Sequence, residues 1–235
     1  MLVLLVKKLK MKIHIFYRHY NVQGTDNKNR PSWFDYENCY DNLFNSINLN
    51  KSVKINIVYD SKEDNWVKSK GCSTFHEIKA GGDMESFWET VKIAHKDNSI
   101  VDGDLIYFLE NDYMHVGGWV DKVLELFQTY NGLDYVSLYD HNDKYFLPMY
   151  DNLTSKIFTS SSHHWRTTPS TCGSFITTKQ RLNEDFDILS TMRGDHNKWL
   201  WLNENRSRFV FTPIPGLSTH CMNGLLSPTI KWEKI

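Results

Sequence analysis

Four short apolar segments alternate with three amphipathic helical patterns over the first 140 residues of this chain. Each segment has the length and the β-branched or aromatic content of a buried strand, and each intervening pattern repeats at helical spacing. The predicted strands span residues 12–16, 53–59, 104–109 and 135–139, and the predicted helices have apolar faces within 36–47, 84–94 and 120–127. This alternation predicts an α/β fold with a mostly parallel central sheet and right-handed crossovers.

The strand–helix alternation stops after residue 140. Residues 141–172 are polar and rich in Ser, Thr and His, and we expect them to form loops. The remaining patterns predict a strand over 173–178, helices over 179–189 and 195–202, a strand over 208–212 and a mostly irregular tail over 213–235. We therefore predict one domain, in which a nucleotide-binding-like half at about 12–140 faces an irregular half at 141–235 across a cleft.

Charge and cysteine content narrow the range of functions. The 235 residues carry a net charge of −1 with a pI near 6.8, which is not the basic balance of a nucleic-acid-binding protein. The four cysteines are far apart and form no CxxC pair. This spacing argues against a zinc site or a disulfide framework, and it favours a reducing compartment.

The N-terminus has a brief apolar stretch, Met1–Val6, which two lysines follow. The stretch is too short for a membrane span, and a signal peptide carries its positive charges ahead of its apolar region. We interpret it as an extension ahead of an internal start at Met11. We expect a soluble cytoplasmic protein without an integral membrane segment, and the sequence leaves its oligomeric state open.

An acidic cluster, Glu110-Asn111-Asp112, ends the predicted strand at 104–109. The carboxyl ends of parallel strands are where α/β folds bind ligands. Mg²⁺ and Mn²⁺ prefer oxygen ligands and commonly lie between a few carboxylates and substrate phosphates. The cluster therefore predicts a metal-assisted phosphate site, with solvated loop acids that cap the next segment as the alternative.

Further candidate ligand-binding residues lie at predicted strand ends and at one helix start. Tyr17 and Arg18 follow the first strand, where they either hold a base and a phosphate or are ordinary loop residues. Asp60 ends the second strand, where it either accepts a hydrogen bond from a base or ribose or caps a turn. Gly82 precedes the second helix, where backbone N–H groups suit an anion, although a plain turn also explains the glycine.

The second half offers side chains for the other wall of the cleft. His164, Trp165 and Arg166 stand together in a polar stretch, where Arg166 could pair with phosphate and Trp165 could stack on a sugar. A surface loop with one buried Trp is the alternative. Asp195 stands at a helix start and is either its N-cap or a general base. His220 is either structural or the residue that completes a metal site.

Taken in order, these motifs resemble those of the GT-A glycosyltransferases, which are nucleotide-sugar-dependent enzymes with a Rossmann-like first half. Residues 108–115 resemble the acidic metal motif of the family, here in the form Glu-Asn-Asp. Gly173 and Ser174 stand where the family has a glycine-containing loop on the acceptor side. Asp195 stands where inverting members have their base, and His220 stands where the family has a C-terminal metal-binding His.

Two longer stretches, 164–170 and 213–221, also resemble a group of glycosyltransferase-like proteins from bacteria and large DNA viruses. The resemblance covers the chain from about residue 12 to its end. The sequence departs from the family pattern at Asn111, which replaces one acid of the metal motif. It departs again at Gly194, where many members carry a second acid before the base.

The resemblance implies a single GT-A domain with a nucleotide-sugar-binding half at about 12–140 and an acceptor-side half at 141–235. It implies transfer of a sugar from a nucleoside diphosphate sugar, with a UDP-sugar as the expected donor, to a hydroxyl of a glycan acceptor. Asp195 would be the base of an inverting enzyme. The implied donor-binding residues are Tyr17, Arg18, Asp60, Gly82, Glu110, Asn111 and Arg166; the implied acceptor-binding residues are His164, Trp165, Gly173 and Ser174; and the implied ligands of Mn²⁺ or Mg²⁺ are Glu110, Asp112 and His220.

Other classes of protein could use the same residues. A metal-dependent phosphohydrolase would release phosphate from simple esters and need no acceptor sugar. A non-catalytic nucleotide- or carbohydrate-binding protein would bind without turnover. A nucleotidyltransferase is disfavoured, because the first strand–helix turn has no Gly-rich, Lys-bearing phosphate loop.

Overall fold

The computed structural model describes residues 11–20, 27–61 and 65–235, so the Met1–Val6 stretch lies outside the described residues. The strands are β1 (Ile13–Tyr20), β2 (Val53–Asp60), β3 (Thr74–Ile78), β4 (Leu105–Glu110), β5 (Tyr113–His115), β6 (Tyr135–Val136), β7 (Ile157–Thr159), β8 (His164–Thr168), β9 (Phe175–Thr178), β10 (Val210–Ile214) and β11 (Ser218–His220). The α-helices are α1 (Tyr36–Ser46), α2 (Asp83–Lys96), α3 (Trp119–Thr129), α4 (Lys179–Glu184), α5 (Phe186–Leu189) and α6 (Asp195–Arg206). Within these ranges, none of the helices combines the length and the apolar composition that crossing a bilayer requires.

Nine strands of the described residues form one sheet, in the order β3-β2-β1-β4-β9-β6-β10-β8-β7. Parallel pairs join β3 to β2, β2 to β1, β1 to β4 and β6 to β10. β9 and β8 run antiparallel to both of their neighbours, and the other strands of this sheet share one direction. The predicted α/β domain with a mostly parallel central sheet is therefore confirmed.

Helices cover both faces of the sheet, because successive strand residues point to opposite sides. Along β4, Tyr107 packs in the cluster that contains Leu43 of α1, whereas Phe108 packs in the cluster that contains Phe87 of α2 and Trp199 of α6. All five side chains are almost completely buried. The near-continuous apolar sequence of β4 follows from this burial on both faces.

The second half is more regular than its sequence indicated. Residues 141–172 were expected to form loops, but they contain the β7–β8 hairpin at the edge of the sheet. The hairpin lacks an apolar alternation because β7 is an edge strand, in which Ile157 is 64% exposed. The strand predicted over 135–139 is also shorter than expected, since the sheet pairing of β6 covers two residues.

The helix predicted over 179–189 is divided into α4 and α5 at Asp185. The Asp185 carboxylate is fully buried and accepts hydrogen bonds from the Tyr135 hydroxyl and from the guanidinium groups of Arg206 and Arg208. A carboxylate with these three partners stabilises the break between the helices, because its charge is compensated inside the protein.

Strand register brings the candidate residues to one edge of the sheet. The β1–β4 pair places Arg18 opposite Glu110, and the β1–β2 pair places the end of β1 opposite Asp60. β5 follows Asp112 and pairs with β11 outside the main sheet, with Tyr113 opposite His220. Residues that are far apart in sequence therefore meet at the carboxyl ends of the parallel strands.

Candidate active site

Arg18 and Glu110 form an ion pair at this edge. The Nη2 atom of Arg18 lies 2.8 Å from Oε1 of Glu110, and Nη1 donates to the carboxylate and the backbone oxygen of Asp83. The Ser174 hydroxyl lies 3.1 Å from Oε2 of Glu110. Burial raises the pKa of Glu110 above its ordinary value, and Arg18 opposes this effect. Both oxygens of Glu110 are thus engaged by the protein.

Asp112 is 2% exposed, and three nitrogen atoms surround one of its oxygens. Oδ2 lies 3.0 Å from His220 Nε2, 3.0 Å from Lys28 Nζ and 2.9 Å from Arg30 Nη2. Burial alone would raise the pKa of Asp112, but His220, Lys28 and Arg30 together lower it well below its ordinary value. Among the described residues, Oδ1 is buried and has no hydrogen-bond partner.

The structure brings two of the three predicted metal ligands together. Asp112 and His220 are in contact, whereas Glu110 is held by Arg18. In the part of the chain that the structure describes, no group of three or more His, Cys, Asp or Glu side chains is arranged to hold a metal ion. The unpartnered Oδ1 of Asp112 fits a divalent cation, because such ions often take one or two carboxylates from the protein and further oxygens from substrate phosphates.

A first cavity of about 260 Å³ opens beside the Arg18–Glu110 pair. It is lined by Arg18, Tyr20, Asp60, Gly81, Gly82, Asp83 and Ser86. Asp60 is 3% exposed, and its Oδ1 accepts a hydrogen bond from the backbone N–H of Ala80. Oδ2 of Asp60 and Oγ of Ser86 are buried without a hydrogen-bond partner among the described residues. Because buried polar atoms are normally paired, these two indicate a ligand with polar groups.

A second cavity of about 280 Å³ lies on the other side of the acidic pair. It is lined by Tyr139, His141, Asp143, Lys144, Tyr150, Ser170, Thr171, Cys172, Asp195, His196, His220 and Leu225. Asp195 is the first residue of α6, and the N-cap is Gly194, so the interpretation of Asp195 as a capping side chain is wrong. Its Oδ1 lies instead 3.2 Å from Nζ of Lys198.

Each carboxylate of the acidic pair is tied to a different cavity. Arg18 lines the first cavity and pairs with Glu110, whereas His220 lines the second and pairs with Asp112. Gly173 packs closely here, since a Cβ atom added to it would lie 3.4 Å from Cδ of Glu110. The acidic pair therefore lies between the two cavities.

Three predicted contact residues are buried instead. Tyr17 is 1% exposed and packs in the core, and its ring offers no face to a base. Trp165 is 0% exposed, so the expectation that it stacks on a sugar is wrong. Arg166 is 5% exposed and pairs with Asp140 at 2.7 Å, which compensates its charge inside the protein rather than on a phosphate.

The remaining predicted contacts have other neighbours. His164 is exposed at the start of β8 and lines neither of the two cavities described above. Ser174 is 2% exposed and positions Glu110. Asn111 donates to Nδ1 of His19 at 3.1 Å, so this amide ties the acidic motif to β1.

Sequence reasoning missed several residues of the site. Ser86 and Lys198 follow Gly82 and Asp195 by about one helical turn, and the 3.6-residue period of their helices could have placed them on the site's face. The loop that carries Lys28 and Arg30 has no periodicity, and no local signal could have brought it to Asp112. Lys144 lies in a stretch that was interpreted as polar loop.

No protein-family model matches the sequence, and no curated protein matches it either. Solved structures match its fold. The structure of a CMP:2-keto-3-deoxy-manno-octonic acid synthetase complexed with CTP superposes with a TM-score of 0.51 at 14% sequence identity, over 87% of this chain and 92% of that chain. A candidate nucleotide-diphospho-sugar transferase from Desulfovibrio desulfuricans G20 gives a TM-score of 0.51 at 10% identity, over 86% of this chain and 79% of that chain.

The chain has the fold of nucleotide-sugar transferases. At these identities the likeness is one of fold, and it extends over most of both neighbours. The GT-A-like, Rossmann-type fold implied by the sequence motifs is therefore confirmed. The chemistry of this chain has to be argued from its own cavities and charges.

Proposed function

We propose that this protein is a glycosyltransferase that moves a sugar from a nucleoside diphosphate sugar, expected to be a UDP-sugar, to a hydroxyl of a glycan acceptor. The proposal is based on the position of Glu110 and Asp112 between two cavities. Glu110 pairs with Arg18, which lines the first cavity, and Asp112 pairs with His220, which lines the second. A transferase needs a donor site and an acceptor site that meet at a charged centre. A hydrolase or a simple binding module needs one site.

The first cavity suits the nucleotide. Asp60 and Ser86 present unpartnered polar atoms that can bond to a base or a ribose. Gly82 precedes α2, whose first backbone N–H groups favour an anion. Arg18 lines the cavity and pairs with Glu110 and Asp83, and its guanidinium is suited to a phosphate oxygen as well.

The second cavity suits a neutral acceptor with several hydroxyls. Asp143, Ser170 and Thr171 supply hydrogen-bonding groups, and Tyr139 and Tyr150 supply aromatic rings. Burial lowers the pKa of Lys144 to about 8 and keeps the pKa of His141 well below its ordinary value. These two side chains therefore contribute less positive charge to the cavity than they would in water.

Asp195 lines this cavity and would act as the base. It would accept the proton of the acceptor hydroxyl while that oxygen attacks the anomeric carbon and the bond to the diphosphate breaks, which inverts the anomeric centre. Arg18 would balance negative charge on the leaving nucleoside diphosphate. A divalent cation, Mn²⁺ or Mg²⁺, would be held by Asp112 and His220 near Glu110, where it would supply Lewis-acid stabilisation of that charge.

A transfer assay tests the proposal. The protein is incubated with nucleoside diphosphate sugars and a panel of glycans, and the released nucleoside diphosphate and the extended glycan are quantified. We expect Asp195→Asn to lower kcat by about 10²–10⁴-fold, since it removes a general base. Asp151→Asn serves as the matched control, because Asp151 is an exposed acid that lines neither described cavity.

Two outcomes would contradict the proposal. Phosphate release from simple esters without an acceptor would indicate a phosphohydrolase. Formation of a nucleotide sugar from a nucleoside triphosphate and a free sugar would indicate a nucleotidyl transfer reaction, which the synthetase with a similar fold makes worth testing.

A further inference from the structure

Lys198 carries an ammonium group in the interior of the protein. The residue is 0% exposed, and its Nζ lies 4.3 Å from the centre of the Phe87 ring. Burial lowers the pKa of Lys198, and the neighbouring Asp195 carboxylate opposes this effect. Burying an ammonium costs free energy unless its partners compensate the lost hydration. A lysine in such a place therefore needs an explanation.

The one hydrogen-bond partner of Lys198 Nζ among the described residues is Asp195. Nζ lies 3.2 Å from Oδ1, within the first turn of α6, and the Asp195 side chain is 36% exposed. The ammonium is thus inside the protein, while the carboxylate that it holds faces the second cavity. An interaction at i, i+3 on a helix fixes the direction of the carboxylate relative to the helix axis.

Two further charges act on Lys198 from the sheet. Arg18 at the end of β1 disfavours the charged form of the lysine, and Glu110 at the end of β4 favours it. Lys198 therefore lies where the charges of the donor side and of the acceptor side meet. The other titratable groups that line the second cavity with Asp195 are Tyr139, His141, Asp143, Lys144, Tyr150, Cys172, His196 and His220.

A second buried lysine, Lys179, has the contacts that we expect of a lysine with a purely structural role. Lys179 is 5% exposed, and its Nζ donates to the backbone oxygens of Ala94 and His95 at 2.6 and 2.5 Å. These carbonyls are at the C-terminal end of α2, so Lys179 satisfies orphan acceptors of a helix. Within the described part of the chain, Lys198 Nζ donates to no backbone oxygen of this kind.

We propose that Lys198 is a positioning residue that orients the Asp195 carboxylate toward the acceptor hydroxyl. The inference rests on the proposed role of Asp195 as base. It predicts that the buried ammonium serves activity rather than stability, because its removal spares the cost of burying a charge and leaves a partner, Asp195, whose side chain is 36% exposed and can be solvated.

The test compares Lys198→Met with Lys179→Met in the full chain. Met keeps most of the side-chain volume in both variants and removes the charge. We expect Lys198→Met to lower kcat at least tenfold, to leave KM for the donor within twofold and to melt no lower than the wild type. We expect Lys179→Met to lower the melting temperature and to keep the wild-type kcat.

Rescue by a charged side chain and the position of Asp195 are readouts that a purely structural role would not change. Lys198→Arg keeps a charge and should recover part of the lost kcat. Crystal structures give a readout independent of activity, because the Asp195 carboxylate should leave its wild-type position in Lys198→Met.

The outcomes separate this inference from the proposed function. A Lys198→Met protein with wild-type kcat and an unmoved Asp195 would overturn the inference, even if Asp195→Asn is inactive. A wild-type kcat in Asp195→Asn would instead overturn the role of Asp195 as base. A drop in melting temperature as large as that of Lys179→Met, with unchanged kcat, would show that Lys198 is structural.

Discussion

The Nε2 atom of His220 lies 3.0 Å from Oδ2 of Asp112, although 108 residues separate them along the chain. The β5–β11 pair brings them together, since Tyr113 lies opposite His220 in register. The imidazole also stacks on the Tyr113 ring, with centroids 5.3 Å apart. β11 thus places His220 beside Asp112, which follows the end of the central strand β4.

Asp112→Asn should destabilise the protein. The change removes the negative charge that accepts from Lys28 and Arg30 at Oδ2. We expect the free energy of unfolding to fall by about 1–3 kcal/mol, less than for a fully buried pair because the Lys28 side chain is 50% exposed. Urea unfolding with an unchanged m value measures this loss.

Asp83→Asn is the control for Asp112→Asn. Asp83 also accepts from a buried arginine, but its side chain is 76% exposed. Solvent screens this pair, so the loss should stay below about 1 kcal/mol. An equal decrease in the free energy of unfolding of the two variants would contradict the stronger stabilisation that we assign to the buried Asp112.

Asp60→Asn should weaken nucleotide binding without harming the fold. Oδ2 of Asp60 is buried without a partner, so the free protein loses little when the carboxylate becomes an amide. A nucleotide that bonds to this oxygen should bind about tenfold more weakly, as expected for the loss of one hydrogen bond to a charged group. Isothermal titration with UDP measures the change. Glu89→Gln on the exposed side of α2 should bind like the wild type, and an unaffected Asp60→Asn would remove Asp60 from the nucleotide site.

The stability of the protein should fall in mild acid, partly through His19. Burial lowers the pKa of His19 from 6.5 to about 4, so below pH 6.5 the unfolded chain takes up a proton that the folded protein does not. The contribution of His19 to the free energy of unfolding is therefore complete above pH 6.5. It decreases toward pH 4 by about 1.4 kcal/mol per pH unit at most. Unfolding curves at several pH values give the slope.

His19→Phe should reduce that slope, because the ring that stacks on Tyr59 is kept while the titrating nitrogen atoms are lost. His164→Phe changes an exposed residue of β8 and should keep the wild-type slope. A wild-type slope in His19→Phe would mean that other groups cause the acid sensitivity.

Gly194→Ala should strain the start of α6. Gly194 has φ +78°, which disfavours residues with a Cβ atom by about 1–2 kcal/mol. The melting temperature should fall by a few degrees, whereas Gly103→Ala, at a glycine with open space around it and no positive φ, should melt like the wild type. An unchanged melting temperature would contradict the strained geometry at this position.

The sequence was most informative where burial is continuous and contacts are local. The apolar run of β4 predicted a strand that ends at the acidic cluster, and the pattern after Gly82 predicted α2, which begins at Asp83. Both depend on neighbours within one segment. Parallel pairing then placed Arg18 beside Glu110, as the alternation of strands and helices implied.

The sequence was least informative where long-range pairing decides the structure. β5 and β11 have three residues each, and neither has a recognisable pattern without its partner. Trp165 was assigned to a sugar because it stands in a polar stretch, yet the β8 strand turns it into the core. The charge of Arg166 suggested a phosphate, and the buried carboxylate of Asp140 that compensates it is 26 residues away.

The proposed nucleotide-sugar site is tested most directly by the melting temperature of the protein. It is measured with nucleoside diphosphates and nucleoside diphosphate sugars, each with Mn²⁺, with Mg²⁺ and with EDTA. A ligand that binds only the folded state raises the melting temperature, by an amount that grows with the logarithm of its concentration relative to its Kd. We predict a rise in the melting temperature with UDP or one UDP-sugar. The rise should depend on the divalent cation and should be smaller in Asp60→Asn. No rise with any nucleotide under any of these conditions would contradict the central claim that the cavity beside Arg18 and Glu110 holds a nucleotide sugar.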